Sequence, residues 1–226
     1  MDEALRLIGS LDPVVLEIAI LSLQVTLTAL AISMVIGIPL GAWFALARFP
    51  GKRLVTALIY TGMGLPPVLV GLVVYLFLSR SGPLGGLGWL FTFPAMVVAQ
   101  TIIATPLIVG VTMSSVLAVP PDLRWQLQAL GATPAQATRA ILFEARFGVI
   151  VGMVAGFGSI ISEVGAVMLV GGNIEGRTRV LTTAIVLETR QGAFDLALAL
   201  GIILLVIAFV SNLTLVLLQK RPEPVR

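Results

Sequence analysis

From Ile18 to Ala47 the chain runs for 30 residues without a charged side chain, and from Leu54 to Ser79 for another 26. A helix rises about 1.5 Å per residue, so either run is long enough to cross the roughly 30 Å hydrocarbon layer of a bilayer. Three more spans follow. Ser81 to Pro121 is a 41-residue uncharged run, but its start, "SGPLGGLGWLFTFP", is dense in glycine and proline and predicts a loop, which leaves about Ala95 to Val119 as the third span. Phe147 to Gly171 is the fourth, with Glu163 inside it, and Leu196 to Gln219 is the fifth. The expected fold is an all-α integral membrane protein, a bundle of five transmembrane helices, and 58% hydrophobic residues against 11% charged agree with it.

Chemistry is narrowed by what is missing. The chain has no cysteine and no histidine, so disulfides, thiolate metal sites, the commonest zinc ligand and the usual general base are excluded. An intramembrane hydrolase would need a nucleophile motif, and "GFGSIIS" does not fit G-x-S-x-G. No metal site is expected. The basic residues do not line one face, as nucleic acid would require, but cluster at the ends of apolar runs. Arg48, Lys52 and Arg53, then Arg124, Arg139 and Arg146, then Lys220, Arg221 and Arg226 make nine of the fourteen Lys and Arg residues, all on one side of a five-span topology. By the positive-inside tendency that side is cytoplasmic, the carboxy terminus faces in and the amino terminus faces out. Residues 1–17 open with "MDEALRLIG", which lacks the basic start of a cleaved signal peptide. Leu5, Ile8 and Leu11 or Leu7 lie on one side of a short helix, so this segment reads as an interfacial amphipathic helix or a disordered tail. Residues 18–219 are the membrane domain and 220–226 a cytoplasmic tail.

Glycine and proline mark where the spans should deviate. "GLPPVLVG" predicts a kink near the middle of the second span, because proline removes a donor and clashes with the preceding turn. Gly148, Gly152 and Gly156 recur every four residues and present a flat strip for tight bundle packing or self-association. Glu163 needs a partner in hydrocarbon, as a proton relay or as a structural hydrogen bond across the bundle. After it, "GGNIEGRTR" breaks the apolar run: the glycines permit a sharp external turn, Asn173 can satisfy freed backbone groups, and "VLTTAIVLE" re-enters as a short helix.

Between spans three and four stands "VPPDLRWQLQALGATPAQATRAILFEARFG". Leu123, Leu127 and Leu130 are spaced like a helix face, Gly131 can end that helix, and Thr133-Pro134 can open another with threonine as cap. This arrangement resembles the "EAA" loop of type I ABC importer permeases, with Trp125 where that family often has glutamate and Glu144 where it often has proline. "EVGAVMLVGGNIEGRTRVLTTAIVLETRQGAFDLALALGIILL", "GLPPVLVGLVVYLFLSRSGPLG" and "AQTIIATPLIVG" resemble the tungstate permease branch, next to the molybdate permeases, over about Gln24 to Leu218.

The resemblance implies a type I ABC permease fold with a cytoplasmic coupling helix, and a homodimer working with an ABC ATPase subunit and an extracytoplasmic substrate-binding protein. It implies that Leu123, Trp125, Gln126, Leu127, Ala129, Leu130, Gly131, Ala132, Thr133 and Pro134 form the ATPase-coupling element. The chain has no G-x-x-x-x-G-K-[ST] loop, since "PGKR" at 50–53 lacks the upstream glycine and the following hydroxyl. ATP and Mg are therefore expected on the partner ATPase, with no cofactor in this chain, which is no enzyme itself. The expected function is passage of an oxyanion, tungstate or alternatively molybdate, sulfate or phosphate, by alternating access. An ATP-independent channel or secondary transporter is the rival, but no internal repeat is visible. Hydroxyls, amides and helix amino termini suit a dianion that must be released again. The candidates are Thr61, Gln100, Thr101, Ser159, Ser162 and Glu163. In the external turn, Gly171, Gly172 and Asn173 either touch the anion or only shape its doorway, while Arg177 and Arg179 attract the anion, pair with the binding protein or are solvated loop charges.

Overall fold

The computed structural model describes residues 12–218. The expected amphipathic side of Leu5, Leu7, Ile8 and Leu11, and the tail from 219, lie outside the described residues. Among the described residues ten α-helices follow one another: α1 Pro13–Leu46, α2 Lys52–Met63, α3 Pro67–Leu78, α4 Phe93–Leu117, α5 Pro121–Ala129, α6 Pro134–Glu144, α7 Arg146–Ile161, α8 Gly165–Gly171, α9 Leu181–Gln191 and α10 Phe194–Leu218, with one 3-10 turn at Gly85–Leu87. Asp12 starts α1 by accepting the Val14 and Val15 N–H groups at 2.9 and 3.3 Å. Residues 13–17 are therefore helix continuous with the first span.

Three helices, α1, α4 and α10, are long and apolar enough to cross a bilayer, and counting two bent pairs brings the total to five. The loop expected at 81–94 holds the 3-10 turn and ends two residues early, since Phe93 and Pro94 already open α4. Prolines act unequally: α1 continues through Pro39 and α4 through Pro106, whereas the second span breaks by 96° between α2 and α3. The difference is the doublet Pro66-Pro67, which removes two consecutive N–H donors and disfavours helix at Leu65. Gly64 and Leu65 close the last turn of α2 with bonds to the carbonyls of Thr61 and Gly62 at 3.1 and 3.3 Å.

α4 is the central column. A Cβ on Gly37 or Gly41 of α1 would strike Ile108 or Val109, and one on Gly148, Gly152 or Gly156 of α7 would meet Ser115, Val111 or Ile108. The glycine strip of the fourth span is thus used inside the chain, against α4. The core on one side of this column joins α3, α8 and the first half of α4 through Val70, Val74, Met96, Ala166 and Val170. At the other end Ala42, Ala45, Met113, Val116, Ile141 and Ala145 tie α1 and α4 to α6. A third cluster holds α9 and α10 on the start of α1 through Val15, Ile18, Leu181, Ala184 and Leu200.

Candidate functional site

The fourth span is not one helix, contrary to the uninterrupted run expected over 147–171. α7 ends at Ile161 and α8 begins at Gly165, with Ser162, Glu163 and Val164 between them. Two distant side chains and the local Glu163 carboxylate bond to backbone groups at this break. Gln100 donates Nε2 to the Ile160 carbonyl at 2.9 Å, Thr182 donates its hydroxyl to the Glu163 carbonyl at 2.8 Å, and the Ala166 N–H donates to Glu163 Oε1 at 2.9 Å. The Glu163 carboxylate therefore caps α8 within its own chain.

Both broken spans meet at their breaks. A Cβ on Gly165 would come 2.5 Å from Val68 Cγ2, and one on Gly71 would come 2.5 Å from Ala166 Cα. α3 and α8 are thus in backbone contact. Of the candidate pathway residues, Thr61 and Ser162 are exposed beside the two breaks, and Thr101, Ser159 and Glu163 are half-buried. Ser162 turns its hydroxyl onto the Gly158 carbonyl at 2.8 Å. Gln100 is only 3% exposed, with its Nε2 on the Ile160 carbonyl at the break. The Thr101 carbonyl accepts from Thr105 at 2.7 Å and from Ser33 at 3.3 Å.

The turn expected at Gly171–Asn173 is present, but a different residue satisfies it. Gly172 has φ +73° and Asn173 φ +52°, both left-handed. Asn173 supplies that conformation, while its side-chain oxygen is buried with no partner. The freed groups go to Thr178, whose hydroxyl donates to the Gly171 carbonyl at 2.6 Å and accepts the Ile174 N–H at 2.9 Å. Gly171 is buried on Met96, Arg177 is exposed, and Arg179 pairs with Glu175 at 3.5 Å. α9 then starts under Ser22 of α1, whose Oγ accepts the Leu181 N–H at 2.7 Å. Sequence reasoning passed over Ser22, Thr178 and Thr182, although a hydroxyl cluster in "TRVLTT" was there to be seen. It also passed over Glu188, a second acid, 8% exposed in α9 and six residues beyond Thr182.

At the end where α1 and α4 finish, α5 and α6 form the expected pair of short helices. Gly131, with φ +81°, ends α5: its N–H reaches the Gln128 carbonyl at 3.0 Å and the Ala132 N–H reaches Leu127 at 2.9 Å. Thr133 and Gln136 cap α6 reciprocally, at 2.8 Å from the Thr133 N–H to Gln136 Oε1 and 3.3 Å from the Gln136 N–H to Thr133 Oγ1, with Pro134 at the first position. The three leucines do not share one face. Leu123 packs on the cluster around Ile141 and Leu127 is half-buried, while Leu130, beyond the helix end, is 84% exposed and Trp125 66%. Gln126 and Ala129 are exposed with them. The element is seated on the bundle by its inner face and offers an aromatic and an aliphatic side chain outward.

Residues 37–224 match the pattern of the binding-protein-dependent transport system inner membrane component family. The chain belongs to that family. As such a permease it sits in the inner membrane, as its apolar helices also indicate. It is 45% identical over 201 residues, 87% of each chain, to a Haloferax volcanii protein named "Probable anion ABC transporter permease protein". It is 41% identical over 217 residues to "Tungstate uptake system permease protein TupB" of Peptoclostridium acidaminophilum, covering 96% of this chain and 95% of that one. In fold, the permease matches a chain of a bacterial alginate ABC transporter crystallised in complex with an alginate pentasaccharide-bound periplasmic protein. The TM-score is 0.74 at 23% identity, over 91% of this chain and 78% of the other.

Proposed function

We propose that this permease is the membrane-spanning subunit of an ATP-driven importer that carries tungstate across the membrane by alternating access. The observation that carries the reading is the α5–Gly131–α6 element, fixed at both of its caps and presenting Trp125 and Leu130 outward, on a chain 41% identical to a tungstate permease. Those two side chains seat in a separate ATPase subunit, which binds ATP and Mg. A second copy of the chain completes the pathway, and an extracytoplasmic binding protein delivers the anion. The nine clustered basic residues support an amino terminus outside and a carboxy terminus in the cytoplasm.

Motion enters through α6, which meets α7 at a bend of 66°. Rotation of α5 and α6 by ATPase closure is passed to α7, and from α7 to the joint at Ser162–Val164. Beyond that joint α3 and α8 swing as one body, because Gly71 and Ala166 leave no room for independent motion. Thr61, Ser159 and Ser162 border the joints, and neutral hydroxyls bind a dianion weakly enough to release it. Each ligand must contact the two states differently for this cycle to run.

The test is uptake in proteoliposomes containing the permease, its ATPase and its binding protein. Tungstate accumulation should need ATP and the binding protein, and excess molybdate should compete more than sulfate or phosphate. ATP-independent uptake by the chain alone would overturn the importer reading, and a preference for molybdate or sulfate would overturn the tungstate assignment. Gly131→Ala places a side chain in the left-handed region at a cost of about 1–2 kcal/mol. It should lower ATPase co-purification; unchanged attachment and uptake would count against the coupling role.

A further inference from the structure

Where α1 and α4 end, the chain lines an open basic chamber of about 620 Å³ on the inner side of the coupling helix α5, a cavity to which the transport cycle assigns no ligand. Arg48, Lys52 and Arg124 line it, with Trp125 at its rim, and no acidic side chain takes part. Lys52 spends two of its three donors on the carbonyls of Ala45 and Ala47, at 2.9 and 3.0 Å. Arg48 and Arg124 are exposed and make no ion pair among the described residues. Three cations converge without a counter-charge, and the chamber floor of Val116 and Ile141 is apolar.

The chamber does not end there. Leu46 and Ala47 are shared with an adjoining groove of about 440 Å³, lined by Ile38, Pro39, Trp43, Thr138 and Leu142. Trp43 stacks on Phe49 at 5.5 Å beside this groove, and aromatic rings collect where hydrocarbon meets head groups. A basic head site opening into an apolar channel along a spanning helix fits one class of molecule. We propose that the chamber and groove bind an anionic phospholipid, its phosphate between Arg48, Arg124 and Lys52 and an acyl chain along Ile38 and Trp43. A carboxylate from a protein partner would use the arginines but leave the groove unfilled.

The full-length chain, extracted with its partner subunits in mild detergent, is examined by native mass spectrometry with added phosphatidylglycerol, phosphatidylcholine or inorganic phosphate. Phosphatidylglycerol should be retained in preference to phosphatidylcholine. Arg48→Gln with Arg124→Gln should weaken that retention about fivefold per arginine, on the order of twenty-five-fold together. Arg48→Lys with Arg124→Lys should keep most of it, and Thr138→Trp, which fills the groove and spares both arginines, should also expel the lipid. Equal retention of phosphatidylcholine, or retention unaffected by the glutamine pair, would overturn the proposal. Tight binding of inorganic phosphate that displaces the lipid would reassign the chamber to a soluble anion. Cross-links from position 48 to ATPase carboxylates, with no lipid bound, would reassign it to the subunit joint.

Discussion

Gln100 shows how one side chain can keep a span broken. Its amide is a second donor to the Ile160 carbonyl, which also accepts the Glu163 N–H at 3.3 Å, and it reaches there from α4, sixty residues away. Gln100→Leu removes the shorter of that carbonyl's two hydrogen bonds, at a cost of about 0.5–1.5 kcal/mol. A lower thermal midpoint of the purified chain should result, and an unchanged midpoint would show that the break holds itself. Glu163 offers the contrasting case. Its Oε1 accepts from Ala166, and a glutamine can keep that bond. Glu163→Gln should transport with the pH profile of the parent, whereas an altered profile would return Glu163 to the role of proton relay. That both residues are special was legible in the sequence, since polar groups in apolar runs demand partners. Which partners they find was not, because each lies far along the chain or depends on a break the hydropathy pattern does not register.

At the level of elements, legibility followed locality. The kink at Pro66-Pro67, the stop at Gly131 and the cap at Thr133 are all written within four residues of where they act, and each stands as the local sequence required. The break at Ser162–Val164 contains no proline, and α7 and α8 are each apolar, so nothing local announces it. Asn173 was the local choice for satisfying the external turn, yet Thr178, five residues on, had the geometry. The glycine strip was legible as a packing surface but not as to its partner, which is α4. This leads to a comparison within one helix. Gly152 lies 3.0 Å from Val111 when given a Cβ, whereas Gly158 has nothing within 4 Å. Gly152→Leu should overpack the α4–α7 contact and cost about 1–3 kcal/mol. Gly158→Ala should be neutral or stabilising by up to about 1 kcal/mol through backbone entropy. Equal effects on thermal midpoint at both positions would place α7 differently on α4.

For the whole molecule, the direction of transport depends on which end of the bundle faces the cytoplasm. The α5–α6 element and the external turn lie at opposite ends of α7 and α8, so one labelling experiment fixes both. The absence of native cysteine makes every introduced thiol unambiguous. Glu175 is 76% exposed in the turn and Gln128 is exposed at the end of α5, so neither needs the fold to move to be reached. Glu175→Cys should react with a membrane-impermeant maleimide in intact cells. Gln128→Cys should react only after the inner membrane is permeabilised, and attachment of the ATPase should then protect it. The reverse pattern would invert the topology argued from the basic clusters and put the coupling element where no ATP is available. Reaction of Gln128→Cys in permeabilised cells irrespective of ATPase would instead leave the topology standing and remove α5 from the joint.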